Sequence, residues 1–477
     1  MNKQECAIKY VEDNYLQFNR LRHDIIADKL QIRMADSLED AALSGYSLEF
    51  KGGEYWREMT KHDINSIVCH AAQEYDANIT SREVMTALQS DLIPDVHPLR
   101  EYILSLQPYT PDQPDWIDWV ASRVRVRDSA LDNGRLKEAI GRSQSELLDG
   151  TACLLDNAPH SEASHSPQSG RPIGGTPSYS PNGASSGSNA DALWRACFKK
   201  WFVAMVASWM KDEVVNHQVL VLIGKQGIFK TTWLEHLIPP HLRAYSCKLA
   251  NSNDLNKDER LRIAEFGLIS LDEIDSMNNR ELNQLKSVIT ATDVNERAAY
   301  AYTKERRVRL ASFCASGNRR DFLTDITGNR RWLPFEVESI QNPFTTILPY
   351  ERMYAQAWAL AQDPLFSYWF DLEEIEVLEQ HNQHFRDESN EEQLLPILFD
   401  VPAEGRGEFM TTAQISERLV TYGNIKKPMA LSRLGMVLGT AGYRSTRPKI
   451  GGRLIRGWLV YQRDTDEVAS LRRLLKE

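Results

Sequence analysis

Residues 218–232, QVLVLIGKQGIFKTT, restrict what this chain can fold into more than any other stretch. Val219–Ile223 is an unbroken apolar run of strand length, rich in β-branched residues, which is how a parallel strand covered on both faces reads. The run feeds a loop containing Gly224 and Gly227 that ends in Lys230-Thr231-Thr232, and the helix behind it is stopped by Pro239-Pro240. A strand, a tight loop, a lysine and a hydroxyl at this spacing suit phosphate binding, with backbone N–H groups facing the anion at a helix start. Gly224, Gln226, Gly227, Phe229, Lys230, Thr231 and Thr232 are therefore the expected nucleotide-binding positions, with Lys230 on the β/γ-phosphates and Thr231 on Mg²⁺. Phe229 stands where the pattern has its second glycine, and Gly227, two residues earlier, is placed to supply the missing backbone freedom.

The rest of the composition narrows the class. The chain has 477 residues, enough for about three domains, and 42% hydrophobic with 26% charged residues describes a globular protein. A net charge of −10 argues against a chain that coats nucleic acid over its whole surface, although it can conceal a local basic module. Six cysteines without any Cys-x-x-Cys or Cys/His pairing predict neither a zinc site nor a disulfide framework. The N-terminus lacks the apolar core of a signal peptide, and no apolar run approaches the length of a membrane span, so a cytoplasmic protein without a membrane partner is expected.

Residues 1–155 read as a mixed, mostly helical domain, with short strands over 15–22 and 30–33 and a capping box opening a helix at Thr80-Ser81-Arg82-Glu83. Residues 156–190 are dominated by Ser, Gly, Pro and Asn and predict a disordered linker. An aromatic-rich helix resumes at Ala190 and leads into a core domain over 191–345. Inside it, GLISLDEID predicts a second buried strand with Asp272 and Glu273 at its carboxyl end, where ligands of open α/β sheets bind. Asp272 is expected to hold Mg²⁺ and Glu273 to polarise water. A hairpin with a basic turn, Lys304, Arg306 and Arg307, suits a nucleic-acid backbone. Its second strand is expected over 308–315, ending in Ser316-Gly317-Asn318, with Asn318 as a polar sensor. Arg330 and Arg331 precede a further apolar strand and are candidates to reach a neighbouring subunit's phosphate.

The order of phosphate loop, LISLDE, LKSVITATD followed by RAAYAYTKE, SGNRRDFL and TGNRRWLPFEV resembles the virulence-associated protein E family. Its nucleotide-binding domain is similar to that of superfamily 3 helicases, and its members occur in phages, plasmids and other mobile elements. The resemblance covers roughly 191–339, and more loosely the helical region around Trp56 to Val120. It implies an AAA+-like P-loop NTPase core acting as a ring, commonly a hexamer, on ATP and Mg²⁺. It places Lys230 and Thr231 at the phosphates and metal, Asp272 and Glu273 at the metal and water, and Asn318 as sensor. Arg330 or Arg331 would be the arginine finger and Lys304 would lie on the DNA hairpin. Phe229 departs from the usual loop.

A helical connector is expected over 346–407, with a flexible join at 387–392. In 408–477 the charge segregates: between Asn424 and Arg463 there is no Asp or Glu, whereas Arg433, Arg444, Arg447, Lys449 and Arg453 all fall there. Two helices followed by a two-strand wing resemble a winged helix, which predicts duplex DNA contact beside single-stranded DNA in the ring. Three functions follow: an ATP-dependent DNA helicase or translocase replicating a mobile element, a nucleotide-gated DNA-binding switch that hydrolyses ATP poorly, or an inactive relic whose C-terminal module alone binds DNA as a repressor.

Overall fold

The computed structural model describes residues 2–33, 56–127, 189–249, 257–296, 305–323, 328–403, 407–464 and 467–468. The expected linker over 156–190 lies almost wholly outside them, as does Lys304.

A capping box between Asn2 and Glu5 opens the first helix, Lys3–Val11. Residues 15–22, expected as a strand, begin instead as a π-helical turn, Glu12–Leu16, continuing that helix. The Tyr10 and Tyr15 rings lie 6.3 Å apart across the junction, so local aromatic packing overrides the strand propensity of this segment. Strands β1 (Leu21–Asp24), β2 (Lys29–Arg33) and β3 (Trp56–Glu58) pair antiparallel, and β4 (Asp95–Val96) adds parallel to β1. Helices Lys61–Glu74 and Ser81–Leu88, each opened by a threonine capping box, close a small core around Val11, Leu21, Ile67 and Val84.

The boundary at 155 is not where the packing changes. Helices Pro98–Ser105 and Trp116–Ala121 bury Leu99, Ile117 and Val120 against the aromatic helix Asn189–Met210, and β5 (Val124–Val126) joins the central sheet. Trp194 Nε1 ties the two together by donating to the Ala121 carbonyl at 2.9 Å.

The central sheet comprises β5, β6 (Val219–Ile223), β7 (Ser246–Leu249), β8 (Leu268–Leu271), β11 (Ser312–Gly317) and β12 (Trp332–Ile340). A separate antiparallel hairpin, β9 (Asp293–Glu296) and β10 (Glu305–Val308), interrupts this series. The spatial order is β5-β12-β6-β11-β8-β7, with all strands parallel except edge strand β5. The unbroken apolar run of β6 is explained by its two covers. Leu220 and Leu222 face the helix Asn189–Met210, while Val219, Val221 and Ile223 face the side occupied by helix Asn279–Thr290. Trp194, Trp201 and Trp209 are at most 1% exposed, and burial of each side chain contributes about 2–3 kcal/mol. The strand expected over 308–315 is divided: Val308 ends β10, and β11 begins at Ser312. Between them Arg309 is buried, donating to the carbonyls of Ala311 and Asn216.

Beyond β12, helices Tyr350–Gln362 and Leu372–Gln383 pack back on the core, the second through a buried ion pair of Lys200 with Glu374 at 2.6 Å. The join at 387–392 is an ordered helix start, with Ser389 capping Asn390–Leu398 and Arg386 bonded to Glu392. The C-terminal part has its own core. It adds β13 (Phe399–Asp400), β14 (Glu408–Met410), helices Thr412–Gly423 and Leu431–Thr440, β15 (Arg444–Thr446), β16 (Lys449–Ile450), β17 (Arg453–Leu454) and β18 (Gly457–Gln462). Strand β18 pairs with β13, β14 and β15, and β16–β17 projects as a hairpin turning at Gly451-Gly452. No helix among the described residues is long and apolar enough to cross a membrane.

Candidate functional site

The loop after β6 is shaped by close approach. A Cβ on Gly224 would stand 2.8 Å from the Val337 carbonyl oxygen, so a side chain there would displace the backbone. Gly227 adopts φ 85° at no steric cost, but Phe229 also lies in the left-handed region, at φ 67° and ψ 19°. For a residue with a Cβ this costs about 1–2 kcal/mol. Its ring lies edge-on to Phe344 at 6.3 Å and packs at the margin of the main core, which offsets part of that strain. Lys230 then opens the helix Lys230–Glu235. Its ammonium is folded into the loop, donating to the carbonyls of Gly224 (2.8 Å) and Lys225 (2.7 Å) and to Asn318 Oδ1 (3.2 Å). Burial lowers its pKa, against the opposing pull of Asp275 and Asp272.

Three strands bring the remaining groups together. Asp272 leaves the end of β8, and its Oδ1 accepts from Ser316 Oγ of β11 at 2.7 Å and from Thr231 Oγ1 at 3.2 Å. The two hydroxyls lie 2.8 Å apart. The other carboxylate oxygen accepts from Lys248 of β7 at 2.8 Å. Burial alone would raise the Asp272 pKa, yet the bonds from Lys248, Ser316 and Thr231 hold it below the ordinary carboxylate value. Glu273, exposed and at φ 52°, begins the 3₁₀ turn Ile274–Ser276. Asp275 in that turn accepts from the backbone N–H groups of Asn318 and Arg319, both at 3.1 Å, which fixes the end of β11 against β8.

Gly224, Gly227, Phe229, Lys230, Thr231, Asp272, Glu273 and Asn318 thus converge at the carboxyl ends of β6, β8 and β11. Gln226 is exposed on the loop, and the Thr232 carbonyl accepts from His236. Sequence reasoning missed Lys248, Ser316 and Asp275. Asp275 was visible three residues beyond Asp272, and Ser316 two before Asn318, but β7 carries no strand pattern strong enough to mark Lys248. Thr231, Ser316 and Asp272 offer oxygen donors alone, the chemistry a hard divalent cation such as Mg²⁺ takes.

Arg330 and Arg331 are not brought to this cluster. They lie in the 3₁₀ turn Asn329–Arg331 immediately before β12, whose first residue pairs with Val219, the first residue of β6. The length of β6, about 16 Å, separates them from the loop. Asn382 fixes the turn by donating to the carbonyls of Asn329 (2.8 Å) and Trp332 (3.0 Å). Burial lowers the His217 pKa at this rim, helped by Arg309, Arg331 and Arg330, which marks a positive pole. Among the described residues neither Arg330 nor Arg331 forms an ion pair.

The two basic hairpins differ. Arg306 is bonded to Asp293 at 2.8 Å. Arg307, expected to face nucleic acid, turns back to Asp28 (3.2 Å) and Glu265 (3.7 Å) with 19% of its side chain exposed, and so braces the hairpin on the body. In the C-terminal part, Arg444, Arg447, Lys449 and Arg453 are exposed and form no ion pair among the described residues, while Arg433 is half-buried. Leu454 is 74% exposed beside them.

Residues 184–392 match the virulence-associated protein E-like domain. Among solved structures, the chain is similar to the apo structure of the NrS-1 C-terminal region (305–718), at 11% identity and a TM-score of 0.39, covering 95% of this chain and 99% of that one. An A-form apo structure of the same region gives 10% identity and a TM-score of 0.39 over 95% and 99% of the two chains. No curated protein matches this chain. Residues 184–392, where the loop, the Asp272 cluster and the arginine turn all lie, are thus similar to a virulence-associated protein E-like domain.

Proposed function

We propose that the chain is an ATP-dependent DNA translocase or helicase that serves replication of a mobile element. The observation that carries this reading is the convergence of Lys230, Thr231, Asp272, Glu273 and Asn318 at one rim of a parallel sheet. Its strand order separates the loop strand β6 from the Asp272 strand β8 by β11, which supports an AAA+-like P-loop core. Lys230 would exchange the Gly224 and Lys225 carbonyls for phosphate oxygens, and Thr231 with Asp272 would hold Mg²⁺. A Mg²⁺ ion held there would supply positive charge against the charge that develops on the transferring phosphoryl group. Glu273 orients water and accepts its proton, and Asn318 fixes Lys230. Arg330 and Arg331, remote from their own loop, would serve the neighbouring subunit in a ring of identical chains, of which a hexamer is the family's common form.

Helices Thr412–Gly423 and Leu431–Thr440 followed by β15, the β16–β17 hairpin and β18 have the element order of a winged helix. Its Arg447, Lys449 and Arg453, unpaired among the described residues, suit duplex phosphates. Replacing these three by alanine is expected to weaken DNA binding and to lower the slope of log affinity against log salt by about 2–3. An unchanged slope would remove the wing from the contact surface. The function itself is tested by ATP turnover with and without single-stranded DNA, beside Lys230→Ala: DNA-stimulated turnover lost in the variant supports it. ATP binding without turnover would favour a nucleotide-gated DNA-binding switch instead, a reading that the left-handed Phe229 keeps specific.

A further inference from the structure

Lys248 has no role in the phosphate-site reading, yet it holds one of the two oxygens of Asp272. Oδ1 is taken by Ser316 and Thr231, and Oδ2 by the Lys248 ammonium at 2.8 Å. A divalent cation held by Thr231 and Asp272 would sit against the same carboxylate and meet that ammonium at close range, where two positive charges repel. The lysine has somewhere else to go. Glu235, at the end of the helix Lys230–Glu235, places Oε1 3.9 Å from the same nitrogen. Lys248 lies on β7, the edge strand of the sheet, with 45% of its side chain exposed and a flexible four-carbon stem. Three carboxylates, Asp272, Glu235 and Glu273, act on this ammonium, so a resident cation offsets their repulsion when no metal is bound.

We propose that Lys248 is a positioning residue that occupies the metal side of Asp272 in the resting state and yields that oxygen to the divalent cation arriving with nucleotide, moving onto Glu235. The inference rests on the phosphate-site reading. Lys248 keeps the Asp272 carboxylate aimed into the site and at the same time competes for it. Apparent metal affinity is therefore reduced by the fraction of time the ammonium is in place, and for a partly exposed pair that amounts to about two- to fivefold.

The test is Mn²⁺ binding to the full chain in the presence of the β,γ-imido analogue of ATP, followed by electron paramagnetic resonance of free Mn²⁺. Lys248→Met is expected to lower the half-saturating Mn²⁺ concentration about two- to fivefold. Lys248→Arg, which keeps the cation, should stay near the wild type, and Glu235→Gln should raise the concentration needed. A Lys248→Met protein of unchanged melting temperature whose half-saturation is equal to or higher than the wild type's overturns the inference. If the wild-type chain bound no Mn²⁺ with the analogue, the phosphate-site reading would fall, and this one with it.

Discussion

At the carboxyl ends of β6, β8 and β11 the sheet gathers Lys230 bonded to Asn318, and Asp272 bonded to the Thr231 and Ser316 hydroxyls, all within 3.2 Å. On the opposite rim, just before β12, it presents two guanidinium groups that no carboxylate among the described residues neutralises. The first rim is strained and partly open, with Phe229 and Glu273 in left-handed backbone. The second is clamped by the buried Asn382. On the proposed reading, one rim holds the phosphate loop with its metal-binding oxygens, and the other holds Arg330 and Arg331 about the length of β6 away. The difference teaches how far the chain keeps Arg330 and Arg331 from its own loop, and the proposed ring is the arrangement that would bring each loop to a neighbour's arginines.

The comparison breaks most readily at the arginines. Alanine at both Arg330 and Arg331 is expected to lower ATP turnover about 10³-fold or more while nucleotide affinity, read by fluorescence of a labelled ATP, stays within a few fold. Loss of binding instead of turnover would place these residues in their own chain's site. Glu273→Gln, on the other rim, should lower turnover by about 10²- to 10⁴-fold with ATP still bound. Equal turnover would mean that another group orients the water.

A smaller effect separates strain from contact at Phe229. Phe229→Gly removes the left-handed penalty and Phe229→Ala keeps it, so both lose the Phe344 contact but the glycine variant should be more stable by about 1 kcal/mol in denaturant unfolding. The reverse order would show that the loop does not hold positive φ in solution. The smallest effect concerns the clamp on the arginine rim. Burial pushes the His381 pKa down to about 4, although its ring N–H donates to the Pro334 carbonyl at 2.7 Å. The folded protein keeps this ring neutral, whereas the unfolded chain takes up a proton below about pH 6.5, so stability falls as pH drops from about 6.5 toward 4. The loss at pH 5.5 is on the order of 1 kcal/mol, and His381→Gln should flatten that part of the melting-temperature profile.

Much of the first rim was legible in the sequence because its groups sit at fixed offsets from strands whose apolar runs announce them: Lys230 and Thr231 after β6, Asp272 after β8, Asn318 after β11. Lys248 was not, since β7 is a short edge strand in polar surroundings and only the sheet order brings it beside Asp272. Asn382 and His381 escaped for the same reason, being fifty residues from the backbone they hold in the case of Asn382 and Trp332. The N-terminal boundary misled because Trp116, Ile117 and Val120 form a helix whose partner, Asn189–Met210, lies beyond a long intervening segment. Charge segregation, which needs no partner to be seen, marked the basic C-terminal hairpin β16–β17.

The most direct measurement mixes two inactive proteins. Lys230→Ala and the Arg330→Ala/Arg331→Ala chain, combined one to one and allowed to assemble, place an intact loop against intact arginines at about a quarter of the interfaces. Recovery of about a quarter of wild-type ATP turnover from two variants that are each inactive alone is the predicted result. A mixture as inactive as its components, beside an active wild type, would contradict the joining of the two rims between subunits.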